Sequence, residues 1–212
     1  MKISDQALVI KNFVSDITCQ QYIEYFEKNK IKIGYESSLS AITGIIQQSS
    51  GKTVEIKKTS KFYQEINKNI ETALQNWLEY LKDKKSYNTY LFPNLLLFPH
   101  SIRLIKYEKG LYIHPHTDWD HFTHASVTIN LNSNYEGGDF VFFKGQEKIK
   151  LDQGDALIFP ADPFWVHEVT PVTRGCRYSI NTFIRSVPEE YFQEHLHSIL
   201  KYQSKKDRYN IK

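Results

Sequence analysis

The feature that most constrains the fold of this 212-residue chain is a change in the spacing of its apolar residues. Up to about residue 100 they recur at three- and four-residue intervals, the helical period. From about Ser101 to Ile184 they alternate or cluster in short runs, the period of strands. From about Ser60 to Lys82, Phe62, Ile66, Ile70, Ala73, Leu74, Trp77, Leu78 and Leu81 make one apolar stripe with Lys, Glu, Asn and Gln between them. A helix so patterned must bury its stripe against a second layer. A shorter helix is expected to open with Thr18 and Gln21 as a capping box, carry Tyr22, Ile23 and Phe26 on one face, and end near Asn29.

Seven brief strands are expected, over Ser101 to Tyr107, Ala125 to Leu131, Asp139 to Phe143, Glu147 to Leu151, Asp155 to Phe159, Val166 to Thr170 and Cys176 to Ile184. They are rich in β-branched and aromatic residues, and Gly137-Gly138, Gly145, Gly154, Pro160 to Pro163 and Gly175 punctuate them. Many short strands at such spacing argue a barrel or jelly roll. Pro188 suits the first position of a last helix, with Phe192, Leu196, Ile199 and Leu200 on one face up to about 202 and a polar, frayed tail beyond. With no repeat, linker or low-complexity block, the expectation is one mainly β domain with flanking helices (α+β) over 1–212: a helical part over about 1–100, a β core over about 101–184 and a helix over about 188–202.

Composition narrows the function classes. A net charge of +3, from 27 Lys and Arg against 24 Asp and Glu, is too mild for a dominant phosphate-binding field. The Lys28 to Lys32 stretch and the Lys-rich tail from Lys201 read as solvated faces, without the interleaved aromatics of a nucleic-acid groove. Cys19 and Cys176 form no paired motif, so a disulfide framework and a cysteine zinc knuckle are both excluded, and a reducing, cytoplasmic setting is expected. No apolar leader opens the chain, and its greasiest stretch, Tyr90 to Phe98, is too short to span a membrane and carries Pro93 and Asn94.

The chemistry-bearing residues lie in the β part. His116-Thr117-Asp118 sets an imidazole and a carboxylate two residues apart, on the same face of an extended chain and about 6 to 7 Å apart at the backbone. Both side chains can then converge on one ion. H-x-D alone is a weak signal, because it arises by chance and a loop histidine is usually just solvated. His167, 51 residues on, is on its own either a core histidine or a third ligand. Together His116, Asp118 and His167 supply two imidazoles and one carboxylate, the facial set that leaves three positions open on non-haem Fe(II). His114-x-His116 is a rival pair without a carboxylate, and His121 and His124 read as loop residues that can touch a substrate.

Arg177, ten residues after His167, alternates with Ser179, Asn181 and Phe183 on one strand face, while Cys176, Tyr178 and Ile180 take the other. It is either exposed on an edge strand or buried against an anion, for which a bidentate carboxylate is the natural mate. Asn130 and Ser179 point inward by alternation and can hydrogen-bond a small acid, a water or backbone. Arg103 can reach a pocket mouth or end in a surface ion pair, and Trp119 and Trp165 either wall a cleft or simply pack.

The ordered set Tyr107-x-x-Gly110, His116-x-Asp118, Gly137-Gly138, Gly154-Asp155-Ala156-Leu157-Ile158-Phe159, His167-Glu168-Val169-x-Pro171-Val172 and Arg177-Tyr178-Ser179 resembles the prolyl 4-hydroxylase-like branch of the Fe(II)- and 2-oxoglutarate-dependent dioxygenases. The resemblance covers about Ser101 to Ile184. A weaker likeness reaches Asn12-Phe13-Val14-Ser15 and Lys58-Thr59-Ser60. It implies a double-stranded β-helix (jelly roll) core with the N-terminal helices packed on it. It further implies iron on His116, Asp118 and His167, and 2-oxoglutarate as cosubstrate with its far carboxylate on Arg177. Tyr107 would line the cosubstrate pocket, Ser179 and Asn130 are further contacts, and no catalytic side chain is implied beyond the metal ligands. Fe(II), 2-oxoglutarate and O2, with ascorbate as an optional reductant, are the implied cofactors. Two departures stand out: Arg177 where many prolyl 4-hydroxylases have Lys, and Phe183 where a Trp is common. Arg is the better bidentate partner, so neither removes a function. Asp118 distinguishes the chain from related halogenases, in which a small residue replaces the carboxylate.

The implied activity is hydroxylation of an aliphatic C–H in a peptide, protein or small molecule, with succinate and CO2 as co-products. A nucleic-acid demethylase on the same scaffold, which the weak charge counts against, and a non-enzymatic β-helix binding a metal or small acid are the alternatives. Substrate choice is expected to lie in loops around the cleft, over Ile33 to Lys57 and Trp119 to His124.

Overall fold

The computed structural model describes residues 3–29, 34–85, 88 and 90–203. The Lys-rich tail expected beyond 203 and most of the Lys28 to Lys32 stretch fall outside the described residues. In chain order the elements are β1 (Leu8–Ile10), α1 (Asp16–Asn29), β2 (Gly34–Leu39), β3 (Ile46–Glu55), α2 (Lys61–Asp83), β4 (Phe98–Tyr107), β5 (Ile113–His116), β6 (Thr123–Asn130), β7 (Glu136–Gly137), β8 (Phe140–Phe142), β9 (Glu147–Ile149), β10 (Ala156–Pro160), β11 (His167–Val169), β12 (Val172–Arg174), β13 (Arg177–Arg185) and α3 (Glu189–Gln203). A seven-stranded sheet runs β1-β10-β6-β13-β4-β3-β2, a four-stranded sheet runs β5-β11-β8-β9, and β12 pairs with β7. All these pairings are antiparallel, and the two larger sheets form the jelly-roll sandwich expected from the strand pattern.

Strand alternation divides the major sheet into two buried faces. In β10, Ala156 and Ile158 join one apolar cluster, while Leu157 and Phe159 join another. The first cluster lies beneath the helices, where Cys19, Tyr22 and Phe26 of α1 and Ile66, Ile70, Ala73, Leu74, Trp77 and Leu81 of α2 meet Leu104, Val127, Ile129 and Ile180. The second fills the interior between the sheets with Ile105, Tyr107, Phe140, Phe142, Trp165 and Val169. A sheet buried on both faces explains why its strands read as near-continuous apolar runs broken only where a polar side chain has work inside.

Three expectations are corrected. The N-terminal hundred residues are not all helix and loop, because β1 and the hairpin β2–β3 add strands to both edges of the major sheet. The hairpin falls in the stretch expected to be a loop. Its sequences, Gly34-Tyr-Glu-Ser-Ser-Leu39 and Ile46-Gln-Gln-Ser-Ser-Gly-Lys-Thr-Val-Glu55, are too polar to show a strand period, as suits an edge with little to bury. Second, α1 starts at Asp16, so Thr18 lies inside its first turn. Ser15 Oγ accepts from the Thr18 N–H at 3.2 Å and is the capping side chain. Third, the strand expected over Val166 to Thr170 is only His167–Val169, and the next short strand, β12, pairs with β7 instead of extending it.

The second helix is as the sequence predicts. Ser60 caps it, accepting from the Phe62 N–H at 3.3 Å, and its apolar stripe is buried at every position named except the outer Phe62 and Leu78. Pro188 lies one residue before α3, which docks through Phe192 against Phe122 and His100.

Candidate metal centre and its cavity

The centre is built by strand pairing. His167 on β11 and His116 on β5 are register partners, which sets their rings side by side with centroids 4.4 Å apart. Each ring is fixed from behind: His116 Nδ1 donates to the His114 carbonyl at 2.8 Å and His167 Nδ1 to the Trp165 carbonyl at 3.0 Å. A carbonyl can only accept, so both Nδ1 atoms carry a proton, and both Nε2 atoms are turned to Asp118 in the interior. Backbone support of this kind is the usual means of orienting a metal-binding imidazole.

Asp118 completes the set from just past the end of β5. It does not lie in the strand, as the ideal spacing argument has it, but on the extended exit from it. Its Oδ1 lies 3.3 Å from His116 Nε2 and its Oδ2 lies 3.4 Å from His167 Nε2. Ser126 Oγ, inward on β6, donates to Oδ2 at 2.6 Å. The three candidate ligand atoms lie within 4.8 Å of one another, and among the described residues no other group of His, Cys, Asp and Glu comes together in this way.

Burial by itself would raise the Asp118 pKa, but His167, His116 and the Ser126 hydroxyl outweigh it and hold the carboxyl well below the usual range. Burial pushes His167 down to about 4, against the attraction of Asp118. Asp118 is therefore a carboxylate and His167 a neutral imidazole at neutral pH, the ionisation that a divalent cation needs of them. Two imidazole nitrogens and one carboxylate in a partly open pocket suit Fe(II) of the facial-triad type.

The rival pair is not formed. His114 Nε2 lies 3.1 Å from Ser38 Oγ on the hairpin and takes no part in the cluster. His121 packs on Trp119, and His124 bonds Ser186. Trp165 is buried among Phe142, Phe143 and Phe159, and it serves the centre through its carbonyl. Trp119 is 46% exposed at the rim.

Arg177 lies wholly inside, 1% exposed, with its guanidinium carbon 5.6 Å from the Tyr107 ring centre and 5.2 Å from that of Phe140. Nε donates to Asn130 Oδ1 at 3.2 Å, while Nη1 and Nη2 have no hydrogen-bond partner. Ser179 Oγ, two residues on along the same strand face, also lacks one. A buried cation with a two-pronged donor edge left open is costly unless an anion meets it, and a carboxylate matches that fork. The residues thus fit a small dicarboxylate whose one end binds the metal. Phe140 stands between the two ends, stacked near His167 on one side and under Arg177 on the other.

Asn130 has a different part from the one its inward position suggests. Its Nδ2 donates to the carbonyls of Asn132, Leu151 and Asp152, and its Oδ1 accepts from Tyr135 and Arg177, so it positions Arg177 with no capacity left for a ligand. Tyr107 is the register partner of Arg177 and presents its ring to it.

A cavity of about 230 Å³ opens on the metal cluster. Ser37 to Leu39 of the hairpin and Trp119 lie on its rim side, both within segments expected to surround the cleft, and Arg103 lies on its wall. Ser126, Asn181 and Arg185 were not singled out as site residues. Strand alternation is the one signal that could have found Ser126 and Asn181, since each is in step with an inward residue, Asn130 or Ser179.

An antiparallel double-stranded β-helix with a buried His–Asp–His cluster beside an open cavity presents the donor set of a facial-triad metal site. The 2OG-Fe(II) oxygenase superfamily model matches residues 102–185, the segment that carries the metal cluster and Arg177. Among curated proteins, a PKHD-type hydroxylase of Cupriavidus pinatubonensis is 29% identical over 153 residues, which cover 64% of this chain and 65% of the relative. Among solved structures, a prolyl hydroxylase from Trichoplax adhaerens, in complex with a hypoxia inducible factor oxygen degradation domain peptide fragment, superposes with a TM-score of 0.62 at 19% identity, over 86% of this chain and 84% of that one. The viral collagen prolyl hydroxylase of Paramecium Bursaria Chlorella virus-1, as its 2OG complex, gives 0.59 at 21% identity, over 86% and 96%. These structures share the fold. The chain spans just under two thirds of the length of the Cupriavidus relative.

Proposed function

We propose that this chain, acting as one domain over 1–212, is an Fe(II)- and 2-oxoglutarate-dependent hydroxylase of the prolyl 4-hydroxylase-like kind, with a peptide or protein as substrate. The observation that carries this reading is the convergence of His116 Nε2, His167 Nε2 and an Asp118 oxygen on one point of an open cavity. In the reading, these three hold the iron, Arg177 takes the far carboxylate of 2-oxoglutarate, and Ser179 and the Tyr107 ring complete that end. Iron, 2-oxoglutarate and O2 together supply the oxidation of an aliphatic C–H to C–OH, with succinate and CO2 as co-products. The protein's own part is to orient ligands through the His114 and Trp165 carbonyls, to fix Asp118 through Ser126, and to keep water from the cosubstrate through the Phe140, Phe142 and Phe159 layer.

The hydroxylase names of the curated relatives and the peptide complex of the Trichoplax protein support a polypeptide substrate over a free small molecule. Among the described residues no helix is long and apolar enough to cross a membrane, and both cysteines are free. The cysteine usage supports a cytoplasmic setting.

The test is an anaerobic titration of metal-free protein with Fe(II) and then 2-oxoglutarate, following the visible charge-transfer band of the chelate, beside His116→Ala. A band in the wild type that vanishes in the variant is the expected result. A folded wild-type protein that gives no band overturns the reading.

A further inference from the structure

Asp118 lies past the end of β5, so the turn that follows helps to fix the backbone that carries it. Asp120 makes that turn. Its Oδ1 accepts from the Phe122 and Thr123 N–H groups, each at 2.7 Å, and so leads the chain into β6, where Ser126 meets Asp118. Its Oδ2 accepts from Arg185 Nη2 at 2.6 Å, and Arg185 Nε donates to Thr123 Oγ1 at 3.3 Å. Arg185 is the last residue of β13, and its side chain is only 9% exposed. One buried guanidinium therefore holds both ends of the turn beside the metal carboxylate.

Arg185 is in turn covered by the C-terminal helix. Its guanidinium carbon lies 3.8 Å from the centre of the Phe192 ring on α3, a direct contact of cation and ring face. The same ring meets Phe122 edge-on with centroids 5.7 Å apart and stacks on His100 at 6.0 Å. Phe122 belongs to the turn, and its carbonyl accepts from the Ser186 N–H at 3.1 Å. Helix, guanidinium and turn thus form one contiguous unit beside the metal ligand. The rest of α3 is lightly held. Phe192, Leu196 and Ile199 are half-buried, Tyr191 is exposed, and the Lys58–Glu189 pair at 3.4 Å lies at the surface, where such pairs contribute little. A helix with so few buried apolar contacts lies at the low-stability end of the fold and opens before the sheets do.

We propose that α3 is a detachable brace for the metal centre: Phe192 holds Arg185, Arg185 holds Asp120, and the Asp120 turn sets Asp118, so that a docked helix raises metal affinity and a lifted helix lowers it. The inference rests on the metal-centre reading above and adds the regulation of that site. Phe192 and Arg185 are positioning residues, since neither belongs to the ligand cluster. Ser126 orients the Asp118 carboxylate, and the brace sets the backbone from which that carboxylate reaches. Coupling of this kind is reciprocal: if docking favours the metal, the metal favours docking by the same factor.

The experiment uses full-length protein and Zn(II), a redox-inert stand-in for iron. Competition with a chromophoric chelator gives the Zn(II) affinity, the site being defined as the binding lost in His116→Ala. Phe192→Ala should lower that affinity about tenfold or more, the usual effect of removing support from behind a ligand. Phe192→Tyr, which keeps the ring face over Arg185, should stay within about threefold of wild type. Arg185→Met cuts the middle link and should lower the affinity by as much as Phe192→Ala, and combining the two should lower it no further, the non-additivity of residues that act in one chain. Hydrogen exchange of the wild-type protein reads the reciprocal effect without any substitution: Zn(II) should slow exchange across α3 about tenfold or more, and in Phe192→Ala it should not. A folded Phe192→Ala with wild-type Zn(II) affinity, or α3 exchange in the wild type that is indifferent to Zn(II), overturns the brace while the metal centre stands. If both variants fail to fold, the wild-type exchange measurement decides alone. Folded wild-type protein that binds no Zn(II) at the His116 site overturns the metal centre, and the brace with it.

Discussion

His116 and His167 are cross-strand partners, and each donates its Nδ1 proton to the carbonyl of the residue two positions before it. The same register therefore does two things: it sets the two rings 4.4 Å apart and turns both Nε2 atoms inward, toward Asp118. Asp118 needs no strand of its own, because a two-residue step from His116 brings a carboxylate oxygen within 3.3 Å of that Nε2. Pairing, backbone carbonyls and one hydroxyl organise the site before any ion arrives, which is the preorganisation that makes a metal site specific.

The Ser126 hydroxyl is the side chain that holds Asp118 from outside the ligand set, at 2.6 Å. Ser126→Ala should lower metal affinity about 10- to 100-fold, the usual cost of losing such a support, while leaving the fold intact. Asp118→Ala should abolish tight binding. Competition with a chromophoric chelator measures both, and equal affinity in Ser126→Ala and wild type would show that the hydroxyl does not orient the ligand.

Acid should destabilise the metal-free protein over a defined window. The folded state holds His167 at about 4 through burial, against an ordinary 6.5, so between those values the unfolded chain binds a proton that the folded chain refuses. Stability is then fully present above about pH 6.5 and is lost as pH falls toward 4, by on the order of 3 kcal/mol for 2.5 pH units at about 1.4 kcal/mol each. Asp118, whose pKa is held down, adds a further loss of the same sign below its ordinary 3.8. Urea unfolding in chelator-treated buffer from pH 7.5 to 4 checks the sign, and His167→Gln should flatten the curve.

The helical layer should fail through Trp77. Its ring is fully buried, meets Phe92 edge-on with centroids 5.4 Å apart, and its Nε1 donates to the Gln6 carbonyl at 2.7 Å. Trp77→Ala should cost about 3 to 5 kcal/mol through the cavity it leaves. Trp77→Phe should cost less, since it keeps the ring but strands the Gln6 carbonyl. Chemical denaturation ranks the two, and a Trp77→Ala midpoint within error of wild type would contradict the packing described.

What the sequence made legible is what the core dictates. The stripe of α2 and the alternation of β10 and β13 are consequences of burial, and burial leaves a period that can be read directly. The hairpin β2–β3 was not legible because Ser37, Gln47 and their neighbours cover little apolar surface and so carry no period. The start of α1 was misplaced because Ser15 and Thr18 both have capping hydroxyls, and only the backbone path decides between them. In the site, His116, Asp118, His167 and Arg177 stood out because their side chains are expensive to bury without a purpose. Ser126 and Asn181 did not, because small polar residues on strands are common and their meaning depends on which face of which sheet they join.

Arg177 offers the sharpest separation of function from stability. Its Nη1 and Nη2 atoms are buried without partners and its Nε rests on Asn130, so in protein without cosubstrate the guanidinium is a cost to the fold. Arg177→Met keeps the stem that packs between Tyr107 and Phe140 and removes the uncompensated charge. Without 2-oxoglutarate, the variant should therefore melt at or above the wild-type temperature. With metal and 2-oxoglutarate the order should reverse, because wild type gains stability from ligand binding to the folded state alone, about 2.7 kcal/mol at a hundredfold excess over Kd, and the variant gains little. Metal affinity should be unchanged in both, since Arg177 is no member of the ligand cluster. Paired melting curves with and without 2-oxoglutarate make the measurement. An equal rise in both proteins would remove Arg177 from the cosubstrate site, and a large loss of stability in the unliganded variant would mean that the guanidinium has a structural partner instead.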